Sequence, residues 1–105
     1  MEEARIVLST TSSREEAQRI ARTLVEERLA ACVNLVENVA SIYRWQGAVE
    51  ESLEIMLIIK CNVEKLAAIE TRLHQMHSYD VPEFLVLPVE GGSSAYLRWL
   101  RESSQ

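Results

Sequence analysis

An α+β fold, a four-stranded antiparallel sheet with two helices on one of its faces, follows from three features of this 105-residue sequence. The first is a pair of long strand-like segments, residues 32–45 and 48–61. Both are rich in β-branched and aromatic residues, and they join at Tyr43-Arg44-Trp45-Gln46-Gly47 without a proline. The second is a helical spacing of apolar residues on each side of that hairpin. The third is a short apolar strand near each end, at residues 5–9 and 83–87. The order is β-α-β-β-α-β, with an extra C-terminal helix at residues 94–102. Two right-handed βαβ halves that share a long hairpin make the ferredoxin-like sandwich.

Arg5-Ile6-Val7-Leu8-Ser9 is an apolar run bounded by Thr10-Thr11-Ser12-Ser13, which reads as a buried strand. Ser12 or Ser13 caps the first helix, with Glu15 or Glu16 as the acidic member of a capping box. Ala17, Ile20, Ala21, Leu24 and Val25 form the stripe that faces the sheet. In the first hairpin arm the alternation slips at Glu37-Asn38, because Leu35-Val36 and Val39-Ala40 cannot all keep to their faces; a β-bulge there repairs it. After the second arm, Asn62 caps a helix striped by Leu66, Ile69, Leu73 and Met76. Ser78 to Pro82 break that helix. Glu83-Phe84-Leu85-Val86-Leu87 is the fourth strand, and Pro88 ends it or marks it as a sheet edge. Gly91-Gly92-Ser93 turns into a last helix bearing Tyr96, Leu97, Trp99 and Leu100.

The hairpin is longer than its cover. An arm of about fourteen residues reaches about 45 Å, whereas a helix of about fifteen residues spans about 23 Å. Leu57, Ile58 and Ile59 are apolar in succession, so both faces of their strand need covering. An overhanging apolar ribbon aggregates unless something pairs with it, and a second copy is the simplest cover. The expectation is an oligomer.

Composition narrows the rest. The chain, residues 1–105, is the length of one domain. A net charge of −5 with no Lys/Arg cluster argues against nucleic acid as a partner. No apolar run approaches the roughly 20 residues that cross a bilayer, which argues against a membrane. Met1-Glu2-Glu3-Ala4-Arg5 lacks the basic start and apolar block of a signal peptide. Two cysteines in such a chain suggest free thiols in a reducing, cytoplasmic setting.

Several side chains are candidates for chemistry. Cys32 and Cys61 read as small buried apolar groups, with a disulfide as the alternative, since an unbroken two-residue turn would place them opposite each other. His74 and His77 stand three apart on a helix and are either surface polar residues or part of a metal site that lacks further ligands at a recognised spacing. Tyr43 and Trp45 either pack across the hairpin tip or anchor an interface. Lys60 emerges after an apolar run, as a snorkelling lysine or as an anion-binding one in a crevice between subunits. Glu83 is a solvated carboxylate on the simplest reading, and Gly91-Gly92 is a turn. No nucleophile, base and orienting group come together, so nothing argues for an enzyme. An acylphosphatase-like chemistry would need an arginine-bearing loop where this chain has Ser9-Thr10-Thr11-Ser12-Ser13.

Five separated stretches resemble one family. Glu27-Arg28-Leu29-Ala30-Ala31-Cys32-Val33-Asn34, the Tyr43-to-Gly47 turn, Lys60, His77-Ser78-Tyr79 with Pro82-Glu83, and Tyr96-Leu97-Arg98-Trp99 are similar to the CutA proteins. The resemblance covers essentially the whole chain. It implies a ferredoxin-like subunit in a tight homotrimer whose hairpins wrap their neighbours, with a non-enzymatic role in divalent cation tolerance and in the response to metal ions. It also implies binding of copper or another divalent cation, in the cytoplasm. His77 matches a family histidine and is the metal ligand so implied. Lys60, Tyr79 and Glu83 match polar residues of the family's intersubunit crevice, where a small anion is the other ligand class. Ser9 and Met76 stand where some members carry a copper-binding cysteine and a second histidine, and Cys61 replaces the threonine usual after the lysine. A trimeric signalling module that binds an anionic metabolite between subunits is the alternative reading.

Overall fold

The computed structural model describes residues 3–105; Met1 and Glu2 of the acidic start lie outside them. It has β1 (Ala4–Thr11), α1 (Arg14–Glu26), β2 (Cys32–Trp45), β3 (Ala48–Asn62), a 3₁₀ turn (Val63–Lys65), α2 (Leu66–Met76), β4 (Leu85–Pro88) and α3 (Ser94–Ser103). The strands form one sheet in the order β2-β3-β1-β4, every neighbouring pair antiparallel. That is the ferredoxin-like arrangement, with β1 and β3 central.

Local chemistry explains each join. Ser13 caps α1, its hydroxyl accepting from the Glu16 N–H at 3.1 Å. Gln46 and Gly47 both have positive φ, 52° and 86°, the pattern of a type I′ hairpin turn whose twist matches the strands it joins. The register shifts between Val36 and Val39, and Asn38 takes the left-handed conformation, φ 61°, that the bulge requires. The shift sets Cys32 opposite Lys60 and leaves Cys61 opposite Arg5, so the cysteines do not meet and both are free. Pro88 is the last residue of β4, on the outer edge of the sheet.

Two sequence expectations are corrected. Val25 is exposed, because the stripe Ala17, Ile20, Ala21 and Leu24 already fills the face that meets the sheet. Asn62 makes no side-chain cap to the helical turn that follows it; its amide donates to the Ser104 hydroxyl at 2.7 Å and the Arg101 carbonyl at 3.3 Å, tying β3 to the end of α3.

The core lies between the helices and one sheet face. Val7, Leu57, Ile59 and Cys61 meet Ile20, Leu24, Ile69 and Leu73, all fully buried. On the opposite face α3 covers one end only, where Leu100 packs on Ala4 and Ala31. Next to that cover Leu85 and Leu87, paired with Leu8 and Ile6, remain exposed. The molecule measures 44 × 25 × 23 Å, and α1, with 13 residues, covers only about 20 Å of the hairpin's length. Along β3 the helix-facing side therefore passes from Leu57 at 0% exposure to Leu53 at 66% and Val49 at 64%. Ile42 shares that face across the hairpin and is 67% exposed.

Candidate functional site

Polar groups from four elements converge where β1 ends. The C-cap of α2 is His77, whose backbone N–H donates to the Leu73 carbonyl at 2.9 Å. The His77 side chain is fully shielded from solvent. Its Nε2 lies 2.7 Å from the Thr10 carbonyl, and since a carbonyl only accepts, Nε2 carries the proton and donates. Its Nδ1 faces the Tyr79 N–H at 3.1 Å and Glu16 Oε2 at 3.3 Å. Glu16 is the capping-box glutamate, yet its buried carboxylate turns away from its own helix to accept from the Ser78 N–H at 3.0 Å.

Tyr79 then reaches the sheet. Its phenol donates to Glu54 Oε2 at 2.6 Å, and its ring lies 4.7 Å from that of His77. Burial, followed by that bond to Glu54, holds the phenol well above the usual tyrosine range, so it keeps its proton. Glu83 sits on the segment bound to β1 through the Ser9 hydroxyl, which donates to the Glu83 carbonyl at 2.7 Å. Burial and the nearby charge of Glu54 push the Glu83 carboxyl up from its ordinary value. Glu83 is thus partly desolvated and lies within the field of the Glu54 carboxylate, an environment that a nearby cation would relieve.

The residues singled out in the sequence do not all meet here. His77, Tyr79 and Glu83 do. Lys60 does not: it lies six residues along β3 from Glu54, about 20 Å at strand spacing, and its ammonium stands 5.8 Å from the Tyr96 ring centre. His74 is exposed while the His77 side chain is shielded, so the two histidines share no site. At the hairpin tip Tyr43 and Trp45 are exposed, and the Tyr43 hydroxyl is 3.3 Å from that of Ser52. Cys61 is buried, which pushes its thiol up to about 11, and Cys32 is half-buried. The sequence offers Glu16 only as a member of the capping box, and does not offer Glu54 at all as part of this cluster. The signal for Glu54 was there, an acid inside the apolar run Leu53 to Ile59.

A copper site does not fit these positions. Both ring nitrogens of His77 already face backbone or carboxylate partners. Ser9 offers a hydroxyl spent on Glu83, and Met76 a thioether packed against the core. Among the described residues no three His, Cys, Asp or Glu side chains cluster to hold a metal ion, and no helix is long and apolar enough to cross a membrane.

Comparison with known proteins places this architecture. The family profile described as CutA1 divalent ion tolerance protein matches residues 5–103. The divalent-cation tolerance protein CutA of Thermus thermophilus is 48% identical over 99 residues, covering 94% of this chain and 96% of that protein. The solved Thermus thermophilus structure superposes with a TM-score of 0.95 at 46% identity, covering 97% of this chain and 99% of that one. A structure from Archaeoglobus fulgidus, described as the periplasmic divalent cation tolerance protein CutA, gives 0.94 at 36% identity, with 97% and 99% covered. The chain belongs to the CutA family of divalent ion tolerance proteins.

Proposed function

We propose that this chain is a non-enzymatic, homotrimeric protein of divalent cation tolerance, in which each copy covers a neighbour's hairpin and a divalent cation binds in the crevice between copies. The supporting observation is the uncovered apolar ribbon: Ile42, Val49 and Leu53 lie on one face of the hairpin, beyond the reach of the helices. Tyr43 and Trp45 at its tip are the aromatic types that anchor interfaces. Sedimentation velocity at micromolar concentration is expected to give one species of three subunits. A well-behaved single-subunit species would remove both the assembly and the crevice.

The ion reading draws on Glu54 and Glu83, with Tyr79 fixing the first of them. Carboxylate oxygens suit a hard cation such as manganese or magnesium better than copper. Further donors would come from the neighbouring copy. Calorimetric titration with manganese is expected to show binding that Glu54→Gln abolishes; unchanged affinity in that variant removes the acidic pair as the site. The free thiols of Cys32 and Cys61 support a reducing, cytoplasmic setting. A second reading, a small anionic metabolite held between subunits, is favoured by Lys60 alone, whose ammonium lies at the α3 end of the open sheet face.

A further inference from the structure

We infer that His77 is a positioning residue and not a metal ligand: it ties Thr10, Glu16 and Tyr79 together and so holds the Tyr79 phenol on Glu54. The argument is one of lone pairs. A metal needs an unprotonated imidazole nitrogen facing open space. Nε2 points at the Thr10 carbonyl at 2.7 Å and must carry hydrogen there. When the ring is neutral, the Nδ1 lone pair is taken by the Tyr79 N–H at 3.1 Å. When the ring is charged, Nδ1 has a proton to give to Glu16 Oε2 at 3.3 Å. In neither state is a lone pair left for an ion, and the side chain has no exposed area through which one could enter.

What the imidazole does instead is join three elements. It bonds the C-terminal end of β1, at Thr10, to the residue that ends α2, and Glu16 reinforces the join from α1 by accepting from the Ser78 N–H at 3.0 Å. Two residues on, the backbone of Tyr79 is fixed by Nδ1 and its ring lies 4.7 Å from the imidazole. The phenol then reaches Glu54 at 2.6 Å. An outer group that orients a ligating carboxylate commonly contributes tenfold or more to metal affinity. In this one respect the inference rests on the cation site proposed above.

The test pairs a spectrum of the whole protein with two variants. In a long-range proton–nitrogen spectrum of the imidazoles, the neutral His77 ring is expected to show hydrogen on Nε2 and not on Nδ1. Stoichiometric zinc is expected to leave both nitrogens where they were. A zinc-induced shift of either nitrogen, or hydrogen on Nδ1 alone, overturns the inference. His77→Asn keeps an acceptor for the Tyr79 N–H in an Asx turn, whereas His77→Ala keeps none. The Tyr79–Glu54 contact, read from side-chain nuclear Overhauser effects, is expected to survive in the asparagine variant and to vanish in the alanine variant. Manganese affinity should follow the same pattern, with a loss of about tenfold or more in His77→Ala only. Equal loss of affinity in both variants with the contact intact would make His77 a ligand after all. Should the unmodified protein bind no manganese, the cation reading falls, and this inference is still decided by the imidazole spectrum and the Tyr79–Glu54 contact.

Discussion

Charging the hairpin face, by Ile42→Lys together with Leu53→Lys, is expected to split the proposed trimer into folded single subunits. Within one subunit both side chains are about two-thirds exposed, 67% and 66%. Exchanging such residues usually changes subunit stability by no more than about 0.5 kcal/mol per site. Beneath a neighbouring copy the same lysines would be desolvated without partners, at several kcal/mol each. Every 1.4 kcal/mol is about a factor of ten in a dissociation constant, and each copy contributes the two sites again. Glu51 is opposite Ile42 and offers one lysine a partner, but a surface pair of that kind is worth at most about 1 kcal/mol. The desolvation term wins. Sedimentation velocity should therefore find the double variant at one-subunit mass with an unchanged far-ultraviolet dichroism spectrum. A variant that sediments with the parent would mean that this face is not where copies meet.

The features legible in the sequence are those decided by neighbours along the chain. Gly47 announces a turn because glycine adopts a positive φ at no steric cost, whereas Gln46 takes its own positive φ, 52°, without any such signal in its residue type. The bulge at Glu37-Asn38 could be located because strand alternation is strict, so a slip of one residue is visible without a structure. Ser13 as a cap is equally local. The site was legible only in part, because its bonds join residues far apart in sequence. Glu16 fits the capping-box spacing and was assigned to its own helix, but Ser78 and His77, 62 and 61 positions later, claim its carboxylate. A sequence cannot say which of two acceptable partners a carboxylate will choose when the second arrives through tertiary packing. Lys60 fails for the opposite reason. Resemblance groups it with Tyr79 and Glu83, yet strand geometry sets it far along β3 and against α3. Within one subunit those residues cannot act together, and any joint role requires a second copy.

The same contest between a local and a tertiary partner makes Asn62→Asp the sharpest test of the packing at the other end of β3. Were Asn62 an N-cap, as its position before a helical turn suggests, aspartate would serve as well or better. The structure gives the side chain a different task. It is 1% exposed, and its amide nitrogen donates to the Ser104 hydroxyl at 2.7 Å and to the Arg101 carbonyl at 3.3 Å. The Ser104 hydroxyl itself donates to the Leu100 carbonyl at 3.1 Å, so it can accept from Asn62 but has no second proton to offer a carboxylate. Aspartate would therefore set a buried negative charge against a carbonyl and an oxygen whose proton is already committed. The expected result is a loss of roughly 3 kcal/mol or more in denaturant unfolding, comparable to stranding one charge of a broken buried pair. The loss should shrink at low pH, where a protonated aspartate regains a donor. Asn62→Ala, which removes the bonds without adding charge, should cost less, about 1–3 kcal/mol. An aspartate variant as stable as the parent at neutral pH would return Asn62 to the helix and leave α3 without its tie to the sheet.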